Sequence, residues 1–206
     1  MLELRTAIAR VGLDFVRTLT ISFAVNQIRS AEALRGIEPQ LHALWLRSVT
    51  VSTHCFVIAR RLARINADTA LLAGLLHGVG ALYIQTRAVT HPDLSSNPQA
   101  YAAVEREWEG SIARALLEGW RVTGTIVEAI GLLHRPERDT GGPAGLPEVL
   151  RAGVVLERAL GAPQDLEAAT AASPACTRLG LTPTVYETIL QESEAEIAAL
   201  RGVLGC

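Results

Sequence analysis

The chain has little of what marks several large classes of protein. Aromatic residues make up 4% of its 206 residues, and its few cysteines, Cys55, Cys176 and Cys206, are odd in number. They share no metal-type spacing, so neither a disulfide framework nor a cysteine metal site is expected, and Cys55 is interpreted as a small buried hydrophobe. The formal net charge is −2, which predicts no basic face for nucleic acid.

Signals for membrane insertion or export are also lacking. We find no apolar run of the length that spans a bilayer, and no basic start followed by a short apolar stretch and a cleavage site. The expected location is therefore the cytoplasm, with no membrane partner. What the chain has instead is a hydrophobic content of 49%, much of it Ala and Leu. This length and composition predict one domain over residues 1–206 with a sizeable core.

Apolar residues recur at helical spacing, and no period-two pattern indicates a strand, so the predicted fold class is all-α, a compact multi-helix domain. Asn66 or Asp68, Asn97 and Thr182 are the predicted N-caps. The Gly- and Pro-rich stretch 137–147 is the clearest loop. Large aromatics at helical spacing usually bury, so the tryptophans are expected to be core anchors: Trp45, Trp108 and Trp120. Helices are predicted over about residues 2–9, 13–28, 39–64, 67–77, 98–120, 124–134, 150–160 and 183–200.

The stretch from Leu72 to Leu82 carries the most chemical information. Its apolar helix ends in His77, a side chain that can bind a divalent metal, and Gly78 follows directly. A His–Asp pair at such a position would hold a cation and activate water, but glycine supplies no carboxylate. The pair therefore cannot form here.

Several motifs in order, with consistent spacing, point to a family. They are Val11–Leu19, Leu44–Ser48, Ala73–His77, Leu116–Trp120 and Ala129–Pro136. This series resembles the HDOD domain, an all-helical relative of the HD and HD-GYP phosphohydrolases found in bacterial signalling proteins. The family usually has a further helical segment before the first of these motifs, which this chain is expected to lack.

The resemblance implies where metal ligands would stand in an active relative, and most of those positions carry other residues. The first helical His is replaced by Arg47, the Asp by Gly78, a further His by Glu109, and the late Asp by Val154. In the paired His before Arg135–Pro136, Leu133 replaces one member. His77 and His134 survive, too few for a metal site, so neither metal nor another cofactor is expected.

A vestigial pocket is predicted from Arg47, His77, Glu109 and His134, as the candidate contact for a ligand or partner. Stranded buried polar groups are costly unless paired, so Arg47 and Glu109 are expected to form a direct or water-bridged ion pair, with a histidine close by.

The polar residues also have simpler structural interpretations. His77 is expected to hydrogen-bond to backbone, and His134 to cap its helix C-terminus as a donor. The other histidines are expected at the surface or its boundary: His42, His54 and His91. The acidic residues near the C-terminus are expected on a solvated helix face: Glu187, Glu192, Glu194 and Glu196.

The leading functional hypothesis is a non-catalytic bacterial signalling domain that binds a partner protein or a small ligand. The resemblance implies a setting with receiver domains or cyclic-dinucleotide enzymes. The alternative is a residual metal-dependent phosphohydrolase of nucleotides or cyclic dinucleotides, built from His77, His134 and Glu109. The third hypothesis is a purely structural oligomerisation unit. The sequence leaves the oligomeric state open.

Overall fold

The computed structural model describes residues 36–137, 142–160 and 165–204, and within these ranges the chain forms helices and no strand. The predicted all-α class is confirmed. The helices predicted over 2–9 and 13–28 lie outside the described residues. The helices are α1 Glu38–Ile58, α2 Ala67–Leu76, α3 Val79–Ala88, α4 Pro92–Ser95, α5 Pro98–Gly119, α6 Gly124–Leu133, α7 Leu146–Leu160, α8 Leu166–Ala172, α9 Pro174–Arg178, α10 Pro183–Glu192 and α11 Glu194–Leu204.

The helix starts follow the predicted chemistry. Pro39 lies in the first turn of α1, where its missing amide hydrogen leaves nothing unpaired. Asn66, Asn97 and Thr182 each accept a hydrogen bond from the amide three residues on, at 2.7, 3.1 and 3.3 Å. These three predicted N-caps are confirmed, because each side-chain oxygen satisfies an amide that the helix itself leaves unpaired.

Several predicted helix boundaries are wrong. The predicted turn after His77 is only a short break, and α3 begins at once at Val79. The long first helix ends in a π-helical turn, Ala59–Ala63, which Arg64 closes with a left-handed φ of 53°. The predicted last helix is two helices, because the chain breaks at Ser193.

Small residues let the central helices approach closely. Helix α1 packs against α2 and α7, and α3 packs against α5. A Cβ on Gly74 of α2 would lie 2.5 Å from the Cα of Ser52 in α1. A Cβ on Gly153 of α7 would lie 2.7 Å from the Sγ of Cys55. Only glycine fits at these two crossings, and Cys55 is the buried, free thiol that its sequence context predicted.

The main core joins residues of α1 and α2 with residues of α5 to α7, so the loop after α6 does not separate their apolar faces. Trp45 is buried, as predicted, but Trp108 and Trp120 are 51% and 40% exposed, so the prediction that they anchor the core is wrong. Helix α5 buries Ala113 and Leu117 instead, since its close neighbours leave little room on the inner face.

One stretch in the described ranges, Ala67–Ala88, is long and apolar enough to cross a membrane by length and composition, which the sequence analysis had not found. The stretch is not one continuous helix, because α2 ends at Leu76 and α3 begins at Val79, with His77 and Gly78 between them. Of its most apolar window, 67% is buried inside the protein. Core helices pass the same test, so this stretch is weak evidence for a membrane span.

Candidate functional site

His77 lies at the C-terminal end of α2 and is buried. Its Nδ1–H donates to the carbonyl of Gly74, 2.6 Å away, because a carbonyl oxygen can only accept. The predicted backbone hydrogen bond is therefore confirmed. Burial lowers the pKa of His77 to about 4, against the effect of the Gly74 carbonyl, and the charges of Arg47, His134 and Arg158 lower it further. The imidazole is neutral at pH 7.

Gly78 opens onto an apolar space and not onto a polar pocket. A Cβ at this position would lie 3.2 Å from Cδ1 of Leu44 and 3.4 Å from Oγ of Ser48. We call the space between α1 and the α2–α3 junction the apolar cleft. It is lined by Leu41, Leu44, Trp45, Ser48, Leu75, Leu76, Gly78, Val79 and Leu82. A carboxylate at position 78 would face this largely apolar lining.

Two glycines bring Glu109 and His134 together. A Cβ on Gly80 of α3 would lie 2.3 Å from the carbonyl oxygen of Glu109, and one on Gly110 would lie 2.9 Å from the His134 ring. Nδ1 of His134 is 3.9 Å from Oε2 of Glu109. The sequence analysis missed both glycines, although glycine in a helix interior is costly enough to indicate close packing.

The Glu109–His134 contact is not a full ion pair at neutral pH. Burial raises the pKa of Glu109 to about 7, helped by the charge of Glu105 and opposed by the charges of Arg47 and Arg158. Burial also lowers the pKa of His134, and the charge of Arg151 adds to this. His134 therefore favours its neutral form, whereas Glu109, with a pKa of about 7, is partly ionised at pH 7, so the contact differs from the charged ion pair that was predicted for Glu109.

Arg47 pairs elsewhere, so the predicted direct Arg47–Glu109 ion pair is wrong for the described residues. Its Nε is 3.2 Å from Oε1 of Glu157 in α7. The Arg47 side chain is half-exposed, whereas the Glu157 side chain is largely buried. The ion pair with Arg47 compensates for the loss of water around this carboxylate. Arg47 still lies close enough to influence the pKa values of Glu109 and His77.

His134 does not cap its helix with its side chain, which contradicts the prediction. The guanidinium of Arg151, from α7, donates to the carbonyls of Leu132 and Arg135 at the end of α6. The imidazole packs on Gly110 instead. Because Arg151 satisfies the free carbonyls, the His134 ring is available to fill the space over α5.

His54 is the largest correction among the other histidines. It is 3% exposed, not a surface or boundary residue, and its Nε2 is hydrogen-bonded to the Tyr186 hydroxyl of α10 at 3.0 Å. Burial lowers its pKa to about 4. His42 and His91 are exposed, as predicted.

Part of the acidic C-terminal face is paired and not merely solvated. Oε1 of Glu196 lies 3.0 Å from Nη1 of Arg60, and Oε2 of Glu192 lies 3.8 Å from Nη1 of Arg61. The two arginines belong to the π-helical turn after α1. No pattern in the sequence around Arg60 and Arg61 indicates these two contacts. Their partners are more than a hundred residues away, beyond the reach of pattern reading.

The donor set does not fit a metal centre. Across the three described ranges, no group of three or more His, Cys, Asp and Glu side chains could hold a metal ion. The chemistry explains this: Arg47 places a cation where a ligand would stand, and Gly78 and Val154 offer no donor atom. Nδ1 of His77 is hydrogen-bonded to the carbonyl of Gly74, so the backbone, and not a carboxylate, orients its imidazole.

Comparison with known proteins identifies the family. The family profile described as HDOD domain matches residues 2–136. The chain belongs to the HDOD domain family. The helices from α7 onward lie beyond the matched part of this HDOD protein, although α7 packs on α1 and supplies Glu157.

A solved structure from Shewanella amazonensis SB2B, described as a "putative metal-dependent phosphohydrolase", has a similar fold. Its TM-score with this HDOD protein is 0.65 at 22% sequence identity, over 89% of this chain and 70% of that chain. At this identity the likeness shows the fold alone. No curated protein matches the chain significantly.

Proposed function

We propose that this HDOD protein is a non-catalytic signal-transduction domain, located in the cytoplasm, that acts by binding. Its partner would be a receiver or cyclic-dinucleotide pathway protein, or a small ligand of such a pathway. The family, the helical fold and the formal net charge of −2 agree with this proposal. The observation that carries it is the replacement of ligands by Arg47, Gly78 and Val154 in a relative of metal-dependent enzymes.

The physical argument concerns water activation. A phosphohydrolase of this kind needs a metal to lower the pKa of a bound water and to polarise the phosphate. His77 is buried and neutral, and the side chain at position 78 cannot contribute a carboxylate. Arg47 would repel a cation and is held by Glu157. The remaining groups can orient a ligand but do not make a nucleophile.

One observation favours the alternative, a residual phosphohydrolase of nucleotides or cyclic dinucleotides. Glu109 and His134 lie 3.9 Å apart, and the pKa of Glu109 is raised to about 7. A carboxyl group poised near neutrality is suited to acid–base chemistry. In this alternative the catalytic residues would be Glu109, His134 and His77. It therefore requires that a metal ion bind among these three side chains.

Metal analysis separates the two proposals. The protein is purified without chelator, its Fe, Mn and Zn are measured by mass spectrometry, and hydrolysis of a cyclic dinucleotide is assayed with added Mn²⁺. We expect substoichiometric metal and no hydrolysis. Stoichiometric metal that is lost in both His77→Ala and His134→Ala, together with hydrolysis, would establish the enzyme. His91→Ala, an exposed histidine away from the pocket, is the control for nonspecific loss.

A further inference from the structure

The last helix, α11, covers an apolar surface of α1 through few contacts. Leu204 is buried against Trp45, Val49 and Leu75, in a cluster separate from the main core. Ile197, seven residues or about two helical turns earlier, contacts the edge of the main core. This 3.6-period spacing gives α11 one narrow apolar face, since its other side chains are mostly exposed.

The polar contacts that hold α11 and the end of α10 are weak. The exposed fraction of the side chain is 53% for Arg60 and 34% for its partner Glu196. It is 34% for Arg61 and 56% for its partner Glu192. Ion pairs this exposed to water contribute little to stability, because water screens the charges and both long side chains lose freedom. A helix of 11 residues is also too short to be stable alone in water, so α11 depends on this docking.

Docking of α11 also leaves polar atoms without partners. Oγ of Ser193 and Oε2 of Glu196 are buried with no hydrogen-bond partner among the described residues. A buried polar group without a partner is less stable than the same group hydrogen-bonded to water. Both atoms would regain water if α11 left the surface, which offsets part of the free energy gained when α11 docks.

The surface under α11 continues into the apolar cleft. Trp45 and Leu75 belong to both, because they contact Leu204 and also line the cleft beside Gly78. Release of α11 would therefore join the covered patch and the cleft into one groove along α1. Arg60 and Arg61 would stand at one end of this groove, freed from Glu196 and Glu192.

We infer that this groove is a docking site for an amphipathic helix of a partner protein, and that α11 occupies it as a displaceable internal ligand. The partner helix would carry acidic residues where α11 carries Glu196, facing Arg60, and large apolar residues at the spacing of Ile197 and Leu204. This inference rests on the proposed binding function and names the surface and the kind of partner. Metal-dependent hydrolysis would overturn the proposed function without bearing on whether α11 is displaceable.

Hydrogen exchange on the wild-type protein tests the displacement. We expect the amides of α11 to exchange through a local opening, at least about tenfold faster than the amides of α1 and α2, which open only with global unfolding. If the amides of α11 exchange as slowly as those of α1, the helix is part of the cooperative core and the inference is wrong.

Binding in trans tests the groove. The probe is a fluorescent peptide of residues 193–204, added to the full chain carrying Leu204→Glu, which removes the apolar anchor of α11. We expect this variant to bind the peptide at least about tenfold more tightly than the wild type, because the internal helix no longer competes. Val203→Glu is the matched control: the neighbouring side chain is 54% exposed, so this variant should behave as the wild type.

The outcomes separate clearly. A peptide that itself carries Leu204→Glu should not bind, which shows that the apolar anchor and not charge drives recognition. Equal affinity of wild type and Leu204→Glu for the unmodified peptide would contradict the inference, as would failure of both to bind it. Loss of the cooperative thermal transition in Leu204→Glu would also contradict it, since α11 would then be integral to the fold.

Discussion

At the scale of single residues, burial sets the charge of several polar side chains inside the protein. His54 and His77 have pKa values lowered to about 4, and Glu109 has a pKa raised to about 7, in each case chiefly by desolvation. Desolvation disfavours the charged form of any group, whichever its sign. His54 and His77 are therefore neutral at pH 7, and Glu109 is only partly ionised.

These shifts predict opposing effects of acid on stability. Between pH 6.5 and 4 the unfolded chain binds protons on His54 and His77 that the folded protein does not, so stability falls as pH falls. Between pH 7 and 4.5 the folded protein binds a proton on Glu109 that the unfolded chain does not, so this group stabilises as pH falls. Glu109→Gln removes the second effect, and its free energy of unfolding should decline more steeply on acidification.

The measurement is denaturant unfolding at pH 7, 6 and 5. The slopes for wild type and Glu109→Gln should differ by a fraction of about 1.4 kcal/mol per pH unit, the value for one full proton. Glu107→Gln, an exposed neighbour on α5, should keep the wild-type slope. Identical slopes for all three proteins would show that Glu109 is ionised in the folded state.

The buried hydrogen bond between His54 and Tyr186 gives a second residue-scale prediction. Tyr186→Phe keeps the ring but leaves Nε2 of His54 without its partner 3.0 Å away. A buried group left unsatisfied in this way costs about 1–3 kcal/mol of unfolding free energy, which denaturant titration measures. Tyr83→Phe, at a 39% exposed position, should cost much less. Equal effects of the two changes would mean that the hydroxyl is not buried against His54.

At the scale of helices, glycine crossings set the spacing on which the site depends. Gly74 and Gly153 bring α2 and α7 onto α1, and Gly80 and Gly110 bring Glu109 and His134 together across α3, α5 and α6. In each case a neighbouring atom occupies the place of a Cβ. Gly74 and Gly80 face backbone atoms, whereas Gly110 and Gly153 face the side chains of His134 and Cys55, and a larger residue at any of these positions would push its neighbour away.

Gly74→Ala tests this packing. The new Cβ would lie 2.5 Å from backbone atoms of Ser52, which cannot rotate away, so α1 and α2 must separate. Overpacking of this kind costs about 1–3 kcal/mol, measured as a lower thermal midpoint and unfolding free energy. Gly131→Ala in α6 has no atom within 4 Å of its new Cβ and should stabilise by about 0.5–1 kcal/mol, since alanine favours a helix over glycine. The prediction fails if both changes act in the same direction.

At the scale of the whole molecule, a metal site of the kind that the family resemblance implies would be a property of several helices and not of one residue. Ligands from α1, α2, α5, α6 and α7 would have to converge, and the replacements Arg47, Gly78, Glu109 and Val154 lie on different elements. Restoring one ligand cannot rebuild such a site. The apolar cleft beside Gly78 now occupies the side where a carboxylate would stand.

Gly78→Asp should therefore destabilise the protein without restoring metal binding. Its Cβ would lie 3.2 Å from Leu44, and its carboxylate would face the apolar cleft unpaired, which costs about 1–3 kcal/mol. Gly78→Ala adds the Cβ without the charge and should cost less. Thermal melts with and without Mn²⁺ measure both effects. A rise in the Gly78→Asp midpoint on adding Mn²⁺ would mean that the remaining ligands still converge.

The sequence by itself determined the helical class, the N-caps at Asn66, Asn97 and Thr182, and the family. Caps and periodicity depend on neighbours three or four residues away, so a linear pattern contains them. The family followed from motifs in order, which the match over residues 2–136 confirmed. The absence of a carboxylate at Gly78 needed no structure, because glycine has none wherever it lies.

Only the tertiary structure decided which polar groups meet. The sequence placed Arg47 and Glu109 in one pocket, but it could not show that Glu157, 110 residues from Arg47, would take the arginine instead. Nor could it show that α10 would bury His54, or that Trp108 and Trp120 would face outward. The physical reason is the same in each case: burial and ion pairing depend on which helix covers a given face, and that depends on packing between distant segments.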